Sequence, residues 1–197
     1  MRVKSNPALL LPLVATLTGC YTVTRVKPDS VLHDYAVYAA IVERTNPSVV
    51  ARQGGVHRVR AHTDTVTSRR FREGAFEGDF IELAAERMEL PPGLFADFRL
   101  RNRELLCLDA ELFPAPARVV LIAEDSPCPG TPPASVPTAQ NTFERTFSRV
   151  GFSPDGNDAL VHLRHDCGDR CGGTGLVHLK RVDGRWMQHK YERISQF

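Results

Sequence analysis

The side chains best equipped for chemistry lie in the last third of the chain. Cys167 and Cys171 bracket Gly-Asp-Arg and run into Gly172 and Gly173, with His162, His165 and Asp166 just upstream. Such a set offers nitrogen, oxygen and sulfur ligands to zinc, a dithiol to redox chemistry, or a disulfide to a tight turn. Redox pairs usually have two intervening residues at a helix start that depresses the attacking thiol's pKa, whereas here three residues join two strand-like runs. Strand alternation turns His162 and His165 to opposite faces, which keeps both off a single ion. The expectation is therefore a staple that fixes a glycine-rich turn, with no metal and no cofactor. His165 with Asp166 is the set that an envelope hydrolase or metal-dependent enzyme would use, and that is the alternative reading; as neighbours in a strand, the two point apart. Ser148, Ser153 and Ser195 stand in no nucleophile elbow. No catalytic residue is assigned, and the balance falls on a non-enzymatic protein.

Four strand-like runs carry these residues: Phe143 to Phe152, Ala159 to Asp166, Leu176 to Val182 and Trp186 to Ile194. Ser153-Pro154-Asp155-Gly156, the cysteine segment and Asp183-Gly184 separate them, each with turn chemistry, so the pattern predicts a four-stranded meander. Alternation puts Val161, Leu163, Val177 and Leu179 on a core face, with Phe152 and Trp186 as anchors. The same alternation leaves His162, Arg164, His178 and Lys180 on the opposite face, as a cationic patch able to meet phosphate, carboxylate or lipid headgroups.

Upstream, Val31, Leu32, Tyr35, Ala39 and Val42 recur at helical spacing from Pro28 to Arg44, with Asn46-Pro47 as a stop. Val49-Val50 and Val56 to Thr67 read as one or two strands. Phe71 to Leu90 reads as a helix with Phe76, Phe80 and Leu83 facing the core, and a shorter helix follows from Pro92 to about Glu104. Residues Pro114 to Pro137 hold seven of the 14 prolines around one strand candidate, Arg118 to Ala123, and about 124–140 reads as a loop. The fold expected is α+β, with helices of the first half packed on an antiparallel sheet, in one domain over residues 28–197.

The amino terminus has Arg2 and Lys4, an apolar run from Ala8 to Leu17, then Thr18, Gly19 and Cys20. That is the layout of a secretory signal, too short and too interrupted to span a bilayer. Leu17-Thr18-Gly19-Cys20 resembles the bacterial lipobox, which implies removal of residues 1–19, lipid on Cys20 and a tether over 20–27. More than one acyl chain on that residue anchors a protein stably. Tyr21, where an aspartate would direct retention at the inner membrane, points to the outer membrane, facing the periplasm in a Gram-negative host. Setting aside Arg2 and Lys4 brings the 25 Lys and Arg to 23, equal to the 23 Asp and Glu, so no basic footprint for nucleic acid is expected. With Cys20 lipidated, Cys107, Cys128, Cys167 and Cys171 remain in a compartment that permits disulfides. The pairing expected is Cys167 with Cys171, inside one tight connection, and Cys107 with Cys128, flanking one strand.

Phe147-Ser148-Arg149-Val150-Gly151-Phe152-Ser153, Asp158-Ala159-Leu160-Val161, Cys167-Gly168, Cys171-Gly172-Gly173 and Asp183-Gly184-Arg185-Trp186 together resemble a family of uncharacterised bacterial secreted and lipoprotein domains. The resemblance covers roughly residues 90–197 and extends to a helix ending near Asn102. It departs at Arg193-Ile194-Ser195, where relatives carry tryptophan before isoleucine and serine. It implies an address and a fold, and no activity. The function expected is a membrane-anchored binding or interaction module of the cell envelope, partnered by the membrane and by an envelope protein or an anionic ligand.

Overall fold

A computed structural model describes residues 28–65, 77–123, 128, 143–167 and 171–196. The signal segment, Cys20 and its tether, the start of the helix expected from Phe71 (Phe76 included), Val66 and Thr67, and most of the proline-rich loop lie outside the described residues. The elements in chain order are α1 (Pro28–Glu43), α2 (Pro47–Arg52), β1 (His57–Arg60), α3 (Glu77–Arg87), α4 (Leu94–Arg101), a single 3-10 turn (Ala110–Leu112), β2 (Val119–Ile122), β3 (Glu144–Phe147), β4 (Gly151–Phe152), β5 (Asp158–Asp166), β6 (Gly172–Val182) and β7 (Arg185–Gln196). α1 does stop before Asn46, at Glu43, but the Asn46 side chain accepts from the Ser48 N–H at 2.9 Å, so it starts α2 where a strand was expected.

The strands form one mixed sheet in the order β2-β1-β3-β5-β6-β7, with β4 also on β5. The carboxyl-terminal part is the expected antiparallel meander. The purely antiparallel sheet is corrected at the other edge, where β1 runs parallel to both β2 and β3. Parallel neighbours need a crossover, and α3 and α4 lie in the connection from β1 to β2. Asp183 and Gly184 turn β6 into β7 with φ of 49° and 77°, the positive pair that a two-residue hairpin requires.

Helices cover both faces of this sheet. On one face, Tyr35, Tyr38 and Val42 of α1 pack on Val59, Phe147, Ala159, Val161, Val177 and Leu179, as alternation predicted for the last strands. On the other, Ile81, Ala84 and Ala85 of α3, Met88 just after it, and Leu94 and Phe98 of α4 pack on Leu160 and Leu176. The inward stripe of α3 is i, i+3, i+4, i+7 from Ile81, so Phe80 and Leu83, expected inside, are exposed; Leu32 of α1 is exposed too. Phe152 and Trp186, their rings 5.9 Å apart, pack at the margin of the core rather than at its centre. Cys107 is bonded to Cys128 and Cys167 to Cys171, as expected.

Candidate ligand-binding cleft

The site begins with a break in a strand. Phe147 pairs with Leu163 and Gly151 with Leu160, so the chain spends one more residue between β3 and β4 than β5 does opposite them, which is a β-bulge. Side chains satisfy the backbone groups that the bulge frees. Ser148 Oγ accepts the His162 N–H at 2.8 Å and donates to Arg149 O at 3.0 Å, and Tyr38 donates its hydroxyl to Ser148 O at 2.8 Å. Asn102, the carboxyl cap of α4, accepts the Arg149 N–H through Oδ1 and donates through Nδ2 to Arg149 O and Phe98 O, each at 2.8 Å. Gly151 lets α4 settle directly on β4, because a Cβ there would lie 2.5 Å from Phe98 Cα.

These contacts fix where Arg149 points. Arg149 Nε lies 3.6 Å from Asp34 Oδ2, and Arg101 Nη1, from the last turn of α4, lies 3.1 Å from Asp34 Oδ1. The Asp34 side chain is 0% exposed, Arg149 6% and Arg101 14%. Burial pushes the Asp34 carboxyl up to about 6, against the pull of the two guanidinium charges. Arg101 also donates to Val150 O at 2.6 Å and lies over the Phe152 ring, 5.1 Å from its centre. Asp34 thus holds two cations side by side at the meeting point of α1, α4 and the bulge.

A cleft of about 660 Å³ opens above them, lined by His33, Asp97, Arg101, Arg149, Phe152 and Arg181 with the turn from Ser153 to Gly156. Its volume falls within the range of small-molecule sites, roughly 300–1,000 Å³. Its acids are engaged within the protein. Asp97 Oδ2 accepts the Phe152 N–H at 2.8 Å. Asp155 accepts from the Ser153 hydroxyl and from Asn157, and these bonds hold its carboxyl down to about 2. Ser153 Oγ in turn accepts the Asp158 N–H at 2.9 Å, so this hydroxyl is a staple of the turn and not a poised nucleophile.

The cationic patch expected from strand alternation is corrected. His162, Arg164, His178 and Lys180 do share a face, but α3 and α4 cover the middle of it, leaving His162 and His178 each 2% exposed. His178 Nε2 meets Asp158 Oδ1 at 2.7 Å, yet burial still lowers its pKa. Arg164 is half-buried opposite Thr174 and Lys180 is exposed opposite Asp158, which puts them six residues, about 20 Å, apart along β6. His165 stacks on Phe143 with ring centres 5.6 Å apart, and burial with the nearby Arg145 charge lowers its pKa. Among the described residues, no three His, Cys, Asp or Glu side chains gather as a metal site.

Sequence reasoning singled out Arg149 as a motif residue without giving it a role and took Phe152 as a core anchor, and it missed Asp34 and Arg101. A signal for Asp34 was there: a carboxylate between Val31 and Tyr38 on an apolar helix face must find a buried partner. No protein-family model, no curated protein and no solved structure matches the chain.

Proposed function

We propose that the chain is a lipid-anchored protein of the bacterial envelope and a non-enzymatic binding module, with the cleft over Arg101 and Arg149 as its ligand site. The reading of the cleft is carried by one observation: two guanidinium groups are oriented by a buried carboxylate at its floor, while its one lining hydroxyl is tied into a turn. An orienting second layer is what a rigid binding site needs, and a nucleophile with a free base is what an acyl-transfer enzyme needs. The address is supported by the apolar leader and by Leu17-Thr18-Gly19-Cys20. The two disulfides fit an oxidising compartment. Kinship with the uncharacterised secreted and lipoprotein domains is supported by the Ser148 to Phe152 motif, each residue of which has a task at the bulge.

The test is mass spectrometry of the chain taken from its native membrane fraction, beside a Cys20→Ser variant. A diacylglyceryl mass on Cys20 and release of the variant from the membrane are the expected results. An unlipidated chain that begins upstream of Cys20 would overturn the address. Turnover of a bound envelope compound that stops on substituting cleft residues would overturn the non-enzymatic reading.

A further inference from the structure

The cleft is charged in a way that selects its ligand. Three arginines line it, Arg101, Arg149 and Arg181, and they differ in how far the protein satisfies them. Arg101 is held by Asp34, by Val150 O and by the Phe152 ring. Arg149 meets Asp34 through Nε at 3.6 Å, which leaves the two terminal amino groups of its fork for the cleft that it lines. A guanidinium carries five N–H donors in a planar fork, and leaving such donors unmatched in a buried site is costly. Arg181 stands exposed at the rim, its backbone N–H bonded to Asn157 O. Asp97 and Asp155 already accept hydrogen bonds from the protein itself, so the groups left to meet a ligand are the Arg149 fork and the exposed Arg181 side chain. Beside them the Phe152 ring, with the exposed His33 ring 6.1 Å away, gives the cleft an apolar wall.

We infer that the cleft binds a small organic anion, its carboxylate or phosphate head forked by Arg149 with Arg181 at the rim and its apolar part lying along Phe152. This rests on the reading of the cleft as the ligand site and adds the ligand's chemical class. Carboxylate and phosphate each present two oxygens at a spacing that a guanidinium fork reads, so the head group is settled by the probe. Asp34 occupies the far side of both guanidiniums and fixes their planes before any ligand arrives, which lowers the ordering cost of binding.

The experiment is a titration of the full chain with inorganic phosphate, with acetate and with neutral glucose at constant ionic strength, followed by amide NMR shifts. Saturable shifts at the Phe152 to Asn157 segment are expected from phosphate or acetate and not from glucose; the anion that saturates at lower concentration names the head group. Arg149→Lys keeps the charge and loses the fork, and should weaken binding about tenfold. Because Arg149 is buried, Arg181→Gln serves as a second variant whose folding is not at stake; it should weaken binding by a smaller factor, while exposed Arg118→Gln, just before the edge strand β2, should leave it unchanged. Equal affinities across all four chains overturn the inference. Shifts from glucose alone overturn the anion class but leave the cleft a binding site, and no saturable shift from any probe overturns both.

Discussion

Asp34 stands where the spacing of α1 calls for an apolar side chain, and its pH behaviour follows from that placement. A carboxyl whose folded-state pKa lies above its unfolded value stabilises the fold fully below the unfolded value and loses that contribution as pH rises through the folded one. For Asp34 the window runs from 3.8 up to about 6. The wild-type chain should therefore lose up to about 3 kcal/mol relative to Asp34→Asn across that window, measured by urea unfolding of both proteins. Parallel stability curves would show that the carboxyl is not held in a desolvated site. The same titration should tighten anion binding at acid pH, since protonating Asp34 removes a negative charge from beside Arg101 and Arg149, with Asp97, Asp155, Arg181 and His33 also facing the cleft. At this scale the sequence was only partly legible. Arg149 was visible as part of a motif, but its partner lies more than a hundred residues away, and spacing along one strand carries no trace of such a pairing.

Among the elements, the decisive junction is α4 on β4. A Cβ at Gly151 would lie 2.5 Å from Phe98 Cα and 2.6 Å from Phe98 N, which are backbone atoms that cannot move without shifting the helix. Gly151→Ala should cost at least about 2 kcal/mol and, by pushing α4 away, weaken the Arg101 to Asp34 contact. Gly175→Ala is the contrast. Its Cβ would meet the Tyr191 ring at 2.6 Å, but that side chain is exposed and can swing aside, so the loss should be smaller. Thermal melts of the two variants check the order, and an equal or reversed cost would mean that α4 is not clamped on β4. The hairpin of β6 and β7 and the inward face of β5 were legible because turn chemistry and alternation are local. The bulge was not, since Ser148 and Arg149 look like ordinary strand residues until their partners, Tyr38 and Asn102, are in place. Nor was the parallel pairing of β1, a four-residue strand whose neighbours lie about 60 and 85 residues further along.

For the molecule as a whole, helices on both sides of the sheet explain why the predicted wet face is largely dry. Alternation sorts residues correctly into two faces, but it cannot say whether a second layer covers the more polar one, and here α3 and α4 do. The Cys107 to Cys128 bond closes a loop with a sequence separation of 21 and ties the region after α4 to that after β2. Its reduction should cost about 3 kcal/mol by the loop-entropy account, and Cys107→Ser with Cys128→Ser should show the same fall in urea midpoint. An unchanged midpoint would mean that the reduced chain keeps this loop closed by packing alone.

The most direct test of the proposed binding site is native mass spectrometry of the chain purified from the cells that make it, with Arg149→Lys as the paired sample. The wild-type chain should carry a stoichiometric small molecule of acidic character, and the variant should carry much less of it. Equal retention of such a molecule by both chains, or a bare wild-type chain whose mass does not change after incubation with envelope extract, would contradict the assignment of ligand binding to the cleft over Arg101 and Arg149.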